Sequence, residues 1–196
     1  MLYRSEDAMI INLFQRAIRR FTVRELVLIA VMAALGIALK PIVVPLAHLV
    51  SAPLLIPGGA LAGGLYMMWL VVAMGLTGKR GTATLVGVVQ AILVLITGVA
   101  GSHGLMSLLS YTLPGIVMDL GLFVMRHRVC CLTCAFVAGI LANITGTVVV
   151  NCIFFSLPLI PLLLSLAVAA FSGGLGGLLA WTLLKGLKKY GIGKAE

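Results

Sequence analysis

The side chains best able to recognise a ligand are amides and hydroxyls that recur inside apolar segments. In "NITGTVVVN", Asn143, Thr147 and Asn151 follow one another at intervals of four residues, which places them within about 80° on one face of an α-helix. An unsatisfied amide in lipid costs several kcal/mol, so this stripe must face protein or water. It could line a ligand cavity, or it could hold helices together through hydrogen bonds worth about 1 kcal/mol each.

A second polar face precedes this stripe. His103, Ser107 and Tyr111 share a sector of about 100° on the outer half of one helical segment. Single polar residues in other segments complete the set, including one in the glycine-rich "FSGGLGGLLAW", where close helix packing is the alternative interpretation. The predicted substrate-binding residues are Lys40, His48, Gln90, His103, Ser107, Tyr111, Asn143, Thr147, Asn151 and Ser172.

The stretch "KPIVVPLAHLVSAPLLIP", residues 40–57, contains four prolines and is too apolar for a solvated loop. Because proline interrupts a regular helix, we expect this segment to fold over the outer mouth of the protein as a cap carrying Lys40 and His48. A mobile lid and a rigid plug would both suit this composition.

Catalytic chemistry has few candidate groups. Of the five acidic residues, only Asp119 is expected deep in the membrane, which is too few for metal-assisted catalysis and weak support for proton coupling. "GLTGKRGT" lacks the spacing of a phosphate-binding loop. Cys131 and Cys134 form a C-x-x-C without a second pair, and His127 completes no recognised zinc pattern. We therefore expect a non-enzyme with no cofactor and no metal site, in which the cysteines are packing residues.

The elements that position these residues are membrane helices. The chain has 196 residues, of which 62% are hydrophobic, more than one small soluble core could bury. We predict an all-α integral membrane protein, a bundle of six transmembrane helices. The predicted spans are residues 23–39, 58–77, 82–99, 103–125, 131–155 and 161–184.

Charge gives the orientation. Thirteen of the fourteen Lys and Arg residues fall on one side of this topology, and Lys40 is the exception. By the positive-inside rule, both termini are expected to be cytoplasmic. Residues 1–22 are then expected to form a basic amphipathic interfacial segment, or a cytoplasmic lead-in that orders only on a partner. Residues 23–184 are expected to form a transmembrane domain that carries the predicted substrate-binding residues, and residues 185–196 a basic cytoplasmic tail.

Alanines recur at every fourth position in "LIAVMAALGIALK", at Ala30, Ala34 and Ala38. Such a small-residue ridge allows another helix to approach closely. On the motif alone, the partner could be a helix of the same bundle or another protein.

With about 200 residues, six spans, a basic lead and this alanine ridge, the chain resembles the substrate-binding S components of energy-coupling factor (ECF) vitamin transporters. The resemblance implies that Ala30, Ala34 and Ala38 dock against a transmembrane T component that carries two ATPase subunits. It also implies an outward-side cavity for a small vitamin or vitamin precursor, and release of that substrate inward when the S component topples in the membrane.

The substrate stays open at this point. The metal-transporting branch of the family uses an N-terminal histidine, which "MLYRSEDAM" lacks, so cobalt and nickel are not expected. A thiamin precursor such as hydroxymethylpyrimidine, a flavin or a pterin would suit the predicted neutral amides and single cation. The alternative function is an autonomous small secondary transporter or channel.

Overall fold

The computed structural model describes residues 19–51, 53, 56–98 and 104–193, and all regular structure in that part of the chain is helical. A 3₁₀ turn, Gly104–Met106, precedes the fourth α-helix, and a π-helical turn, Asn151–Phe155, extends the fifth. The α-helices are α1 (Val23–Ser51), α2 (Gly58–Thr77), α3 (Thr82–Thr97), α4 (Ser107–Val124), α5 (Leu132–Val150) and α6 (Leu159–Lys189).

Five of these helices, counted over the described residues and with their 3₁₀ and π extensions, are long and apolar enough to cross a membrane. The predicted all-α, multi-pass membrane class is therefore confirmed. The remaining helix, α3, has 16 residues. At 1.5 Å per residue it covers about 24 Å, against about 30 Å of hydrocarbon. The described chain thus has five candidate spans and one shorter apolar helix.

The predicted break after residue 39 is wrong. Helix α1 continues through Pro41 and Pro45 to Ser51 and reaches 29 residues. Proline removes one intrahelical hydrogen bond, but membrane helices tolerate this where local adjustments and neighbours satisfy the freed carbonyl. Most of the segment expected to form a cap is therefore the second half of a long helix. Helix α6 likewise extends beyond the predicted residues 161–184 at both ends.

Helix α2 forms the centre of the bundle. Fourteen of its 20 residues are buried, and it contacts α1, α3, α5 and α6. Glycine makes the closest of these approaches possible, because a Cβ at Gly64 would collide with the backbone of Ser172, and one at Gly176 would collide with Gly64. The glycine-rich stretch of α6 is therefore a packing surface for α2, as expected for small residues at membrane helix interfaces.

Basic residues bring several chain segments together at one end of the bundle. Arg24 Nη2 donates to the carbonyl of Gly191 at 3.2 Å, which places the start of α1 beside the end of α6. Lys79, in the α2–α3 turn, forms an ion pair of 2.5 Å with Glu25. Arg128, between α4 and α5, donates to a carbonyl of that same turn. We call this region the basic end. Residues 1–18, most of the predicted interfacial segment, lie outside the described residues.

Asp119 has a structural position near the basic end. Its Oδ1 accepts a hydrogen bond from the N–H of Gly81 at 3.0 Å. Its Oδ2 accepts from the N–H of Thr84 at 2.8 Å and from the Thr84 hydroxyl at 2.7 Å. The carboxylate of α4 thus satisfies backbone donors at the start of α3, which a helix cannot satisfy internally.

Candidate ligand cavity and exposed alanine ridge

A cavity of about 250 Å³ opens at the end of the bundle opposite the basic end. It lies between the second half of α1, the start of α2 and the end of α5. The chain can enclose it because α1 and α2 come together here: a Cβ at Gly58 would collide with His48. The lining residues are Lys40, Val44, His48, Pro57, Gly58, Gly59, Ala60, Tyr66, Gly146, Thr147, Val150 and Phe155.

Lys40 forms a polar group with two tyrosines, Tyr66 in the lining of this cavity and Tyr111 beside it. The Lys40 ammonium donates a hydrogen bond to the Tyr111 hydroxyl. It lies 4.3 Å from the centroid of the Tyr111 ring and 5.3 Å from that of Tyr66, within the range of cation–π attraction. The Tyr66 hydroxyl in turn donates to the carbonyl of Gly59 at 3.1 Å. A cation and two aromatic rings are therefore in contact with one another at this end of the bundle.

A smaller cavity of about 30 Å³ adjoins this group. It shares Lys40, Tyr66, Gly146 and Val150 with the larger cavity, and Tyr111 is among its other lining residues. Both linings, as far as the described residues define them, are predominantly apolar and contain no carboxylate. Such an enclosure with a few placed polar groups is typical of a small-molecule site.

Four of the predicted binding residues meet at these cavities. Lys40, His48 and Thr147 line the larger one, and Tyr111 lines the smaller one. Their contact with substrate stays a prediction. Tyr66 is the main lining residue that the sequence interpretation omits. The available signal was its position as an aromatic residue following the small-residue run "GGALAGGL".

Asn143 and Ser172 instead connect helices. Asn143 Nδ2 donates to the carbonyl of Ala60 at 3.0 Å and to that of Ala169 at 2.9 Å, which links α5 to α2 and α6. The Ser172 hydroxyl donates to the carbonyl of Leu61 at 2.5 Å. These contacts match the alternative interpretation of interhelical bonding, and neither residue is among the cavity lining.

Three other predicted binding residues, Asn151, Gln90 and Ser107, are also absent from the lining of both cavities. Asn151 accepts a hydrogen bond of 3.0 Å from the N–H of Leu157, which stabilises the turn after the π-helical segment. Gln90 is buried against α1, where a Cβ at Gly36 would collide with its amide. Ser107 is buried at the start of α4. The remaining candidate, His103, lies outside the described residues.

The alanine ridge faces outward. Ala30, Ala34 and Ala38 are all exposed on α1, whereas Ala33 and Gly36 on the same helix are buried. The ridge therefore does not pack inside the described bundle, which was one of the two alternatives. Docking of another protein on it stays a prediction.

Comparison with solved structures gives a fold that matches this helical bundle. A protein described as an S-component of an ECF transporter superposes with a TM-score of 0.69 over 88% of each chain. The sequence identity is 16%, so the match establishes the fold.

The family is established by sequence. Residues 24–145 match the family described as "ABC-type cobalt transport system, permease component", and the chain belongs to it. No curated protein matches the chain. The resemblance to ECF S components is thus confirmed by family and by fold.

Proposed function

We propose that this protein is the substrate-capture subunit of an ECF-type importer. It binds a small vitamin or vitamin precursor in the cavity and delivers it by docking on a T component driven by two partner ATPases. The main support for this proposal is that two parts of α1 have different surroundings. Its alanine ridge, Ala30, Ala34 and Ala38, faces out of the bundle, while Lys40 and His48 on the same helix line the cavity.

The orientation follows from charge. The basic end gathers Arg24, Lys79 and Arg128, and the positive-inside rule assigns such an end to the cytoplasm. The cavity lies at the opposite end and therefore opens to the outside of a prokaryotic plasma membrane. A capture subunit needs its empty site on that side.

The cavity favours a planar organic ligand that carries hydrogen-bond acceptors. Its volume of about 250 Å³ is close to the lower limit, about 300 Å³, of sites for drug-sized molecules. A heterocycle can stack on the ring of Tyr66 while Lys40 donates to a ring nitrogen or an oxygen. This chemistry fits a thiamin precursor of the hydroxymethylpyrimidine type or a pterin, and it fits a larger, tricyclic flavin less well.

The same lining disfavours a divalent cation as cargo, although the family description names cobalt. Such ions are held by several imidazole, thiolate or carboxylate ligands. Among the described lining residues, His48 supplies one imidazole, and the Lys40 ammonium would repel a cation. We therefore assign an organic substrate to this chain.

Native mass spectrometry of gently purified protein tests the proposal, because it reports bound small molecules and partner subunits together. We expect one organic molecule per chain and co-purification with a T component and two ATPases. A chain that carries neither, and that transports solute in liposomes by itself, would instead support an autonomous transporter or channel. Asp119, the acidic group available for proton coupling, is already bonded to the start of α3.

A substitution on the ridge separates docking from binding. Ala34→Trp adds bulk to an exposed surface, so it should abolish uptake by the reconstituted complex while the isolated chain binds its ligand as before. Leu179→Trp is the matched control, because Leu179 is an exposed residue of α6. If uptake persists in Ala34→Trp, the assignment of the docking surface is wrong.

A further inference from the structure

Sulfur and imidazole groups converge in the link between α4 and α5. Cys130 Sγ lies 3.7 Å from Cys134 Sγ and 3.8 Å from His127 Nδ1. The ligand atoms of these three residues all lie within 4.8 Å of one another. Cys131 Sγ lies 3.0 Å from Cys134 Sγ. Spacing alone favours a packing role for these cysteines, but the structure gathers them with a histidine at the basic end, away from the ligand cavity.

Two helix termini hold this group in place. After α4, Arg126 adopts a left-handed conformation with φ of 57°. The N–H of His127 then bonds back to the carbonyl of Leu122 at 3.0 Å, the pattern of a Schellman C-cap. Cys131 is the extended N-cap residue of α5, and its sulfur accepts from the N–H of Cys134. The potential ligands are therefore positioned by the end of one helix and the start of the next.

Two of these separations suit a tetrahedral metal ion. With Zn–S bonds of about 2.3 Å and Zn–N bonds of about 2.0–2.1 Å, tetrahedral geometry places two sulfurs about 3.8 Å apart and a sulfur about 3.6 Å from a nitrogen. The Cys130–Cys134 and Cys130–His127 separations, 3.7 and 3.8 Å, are close to those values. Cys131 lies outside this three-residue group. Its sulfur is 3.0 Å from that of Cys134, so its side chain must move away from Cys134 and toward the other ligands to complete a Cys₃His set, a common structural zinc site.

Access and charge are also suitable. His127 and Cys130 are exposed and Cys134 is buried, so an ion can enter from the aqueous phase and be held partly within the protein. Each coordinating thiol gives its proton to solvent as the S–Zn bond forms. Three thiolates and one Zn²⁺ leave a net charge of −1, which the neighbouring Arg126 and Arg128 can offset.

We propose that His127, Cys130, Cys131 and Cys134 bind one Zn²⁺ ion that joins the end of α4 to the start of α5. This ion would reside at the basic end, away from the ligand cavity. The assignment is independent of the importer function, since it depends on the ligand geometry alone.

Cobalt substitution tests the site directly. The chain is purified without a polyhistidine tag, reduced and stripped with a chelator, and then titrated with Co²⁺. We expect one equivalent to give the intense visible absorption of tetrahedral thiolate coordination, and one equivalent of Zn²⁺ to abolish it. A weak, six-coordinate spectrum or the absence of binding would overturn the proposal.

Matched variants identify the ligands. His127→Ala and Cys130→Ser alter exposed residues and should weaken Zn²⁺ binding by at least about 10-fold. Cys152→Ser, at an exposed cysteine outside the cluster, should bind as the unaltered chain does. Unchanged affinity in both ligand variants would refute the site. Loss of two hydrogens per chain in air, without metal uptake by the reduced protein, would overturn the proposal in favour of a disulfide, and peptide mapping would show whether it joins Cys131 to Cys134.

Discussion

Replacing Lys40 with methionine should separate ligand recognition from folding. The substitution keeps a long unbranched side chain but removes the ammonium that lies between Tyr66 and Tyr111. A hydrogen bond to a charged donor contributes about 1.5–3 kcal/mol. If Lys40 donates one such bond to the ligand, Lys40→Met should weaken binding by about 10- to 150-fold.

Stability should change much less in this variant. Lys40→Met loses the hydrogen bond to Tyr111 and cation–π attraction of about 0.5–2 kcal/mol. It also removes the cost of holding a charge in an apolar cavity. Because these contributions oppose each other, we expect the free energy of unfolding to change by no more than about 1 kcal/mol.

The assay is calorimetric titration of the purified chain with the compound that native mass spectrometry identifies, together with unfolding in detergent. Lys185→Met is the control, because Lys185 also lies near an aromatic ring, 5.4 Å from the centroid of Trp181, but near the opposite end of the bundle. An affinity for Lys40→Met within about two-fold of the unaltered chain would show that the ammonium does not contact the ligand.

Three further substitutions test the packing. Asn143→Ala removes two interhelical hydrogen bonds and should lower the free energy of unfolding by about 1–2 kcal/mol. The control Thr145→Ala removes a bond within its own helix and should cost less than about 0.5 kcal/mol. Equal losses in the two variants would contradict the interhelical role of Asn143. In Gly64→Ala the added methyl group collides with α6, which should lower the free energy of unfolding by about 1–3 kcal/mol. In the control Gly186→Ala the methyl group meets open space, which should raise the free energy of unfolding by up to about 1 kcal/mol. An unchanged stability of Gly64→Ala would show that α2 and α6 are further apart. Asp119→Ala should lower the free energy of unfolding by about 3 kcal/mol without changing ligand affinity. A stable Asp119→Ala variant that no longer binds the ligand would refute a purely structural role for Asp119.

The polar stripe on α5 shows which features of the structure residue spacing can predict. Asn143 and Thr147 are one turn apart on the same face, as their spacing predicts, and both are buried. Thr147 lines the cavity, but Asn143 bonds to carbonyls of α2 and α6. Helical periodicity assigns a residue to one face of a helix. The packing of neighbouring helices decides whether that face lines a cavity or contacts the backbone of another helix.

In helix α1, the sequence pattern of one half agrees with the structure and that of the other half does not. The alanine spacing in the first half indicated a surface on which a helix of this bundle or of another protein packs, and these alanines are exposed. The prolines of the second half indicated a break, yet the helix continues to Ser51. Local propensity describes an isolated segment, whereas membrane packing can compensate for a missing hydrogen bond.

Hydropathy and the distribution of charge were sufficient to determine the membrane class and the end at which the basic residues gather, because the bilayer acts on each segment separately. Only the tertiary structure placed Lys40 beside Tyr66 and Tyr111 and gathered His127 with the cysteine sulfurs. Both arrangements depend on contacts between separate parts of the chain. Lys40, Tyr66 and Tyr111 come from the helices α1, α2 and α4, and the histidine and cysteines come together across the turn between α4 and α5. The packing of all helices determines such contacts, so they cannot be read from one segment alone.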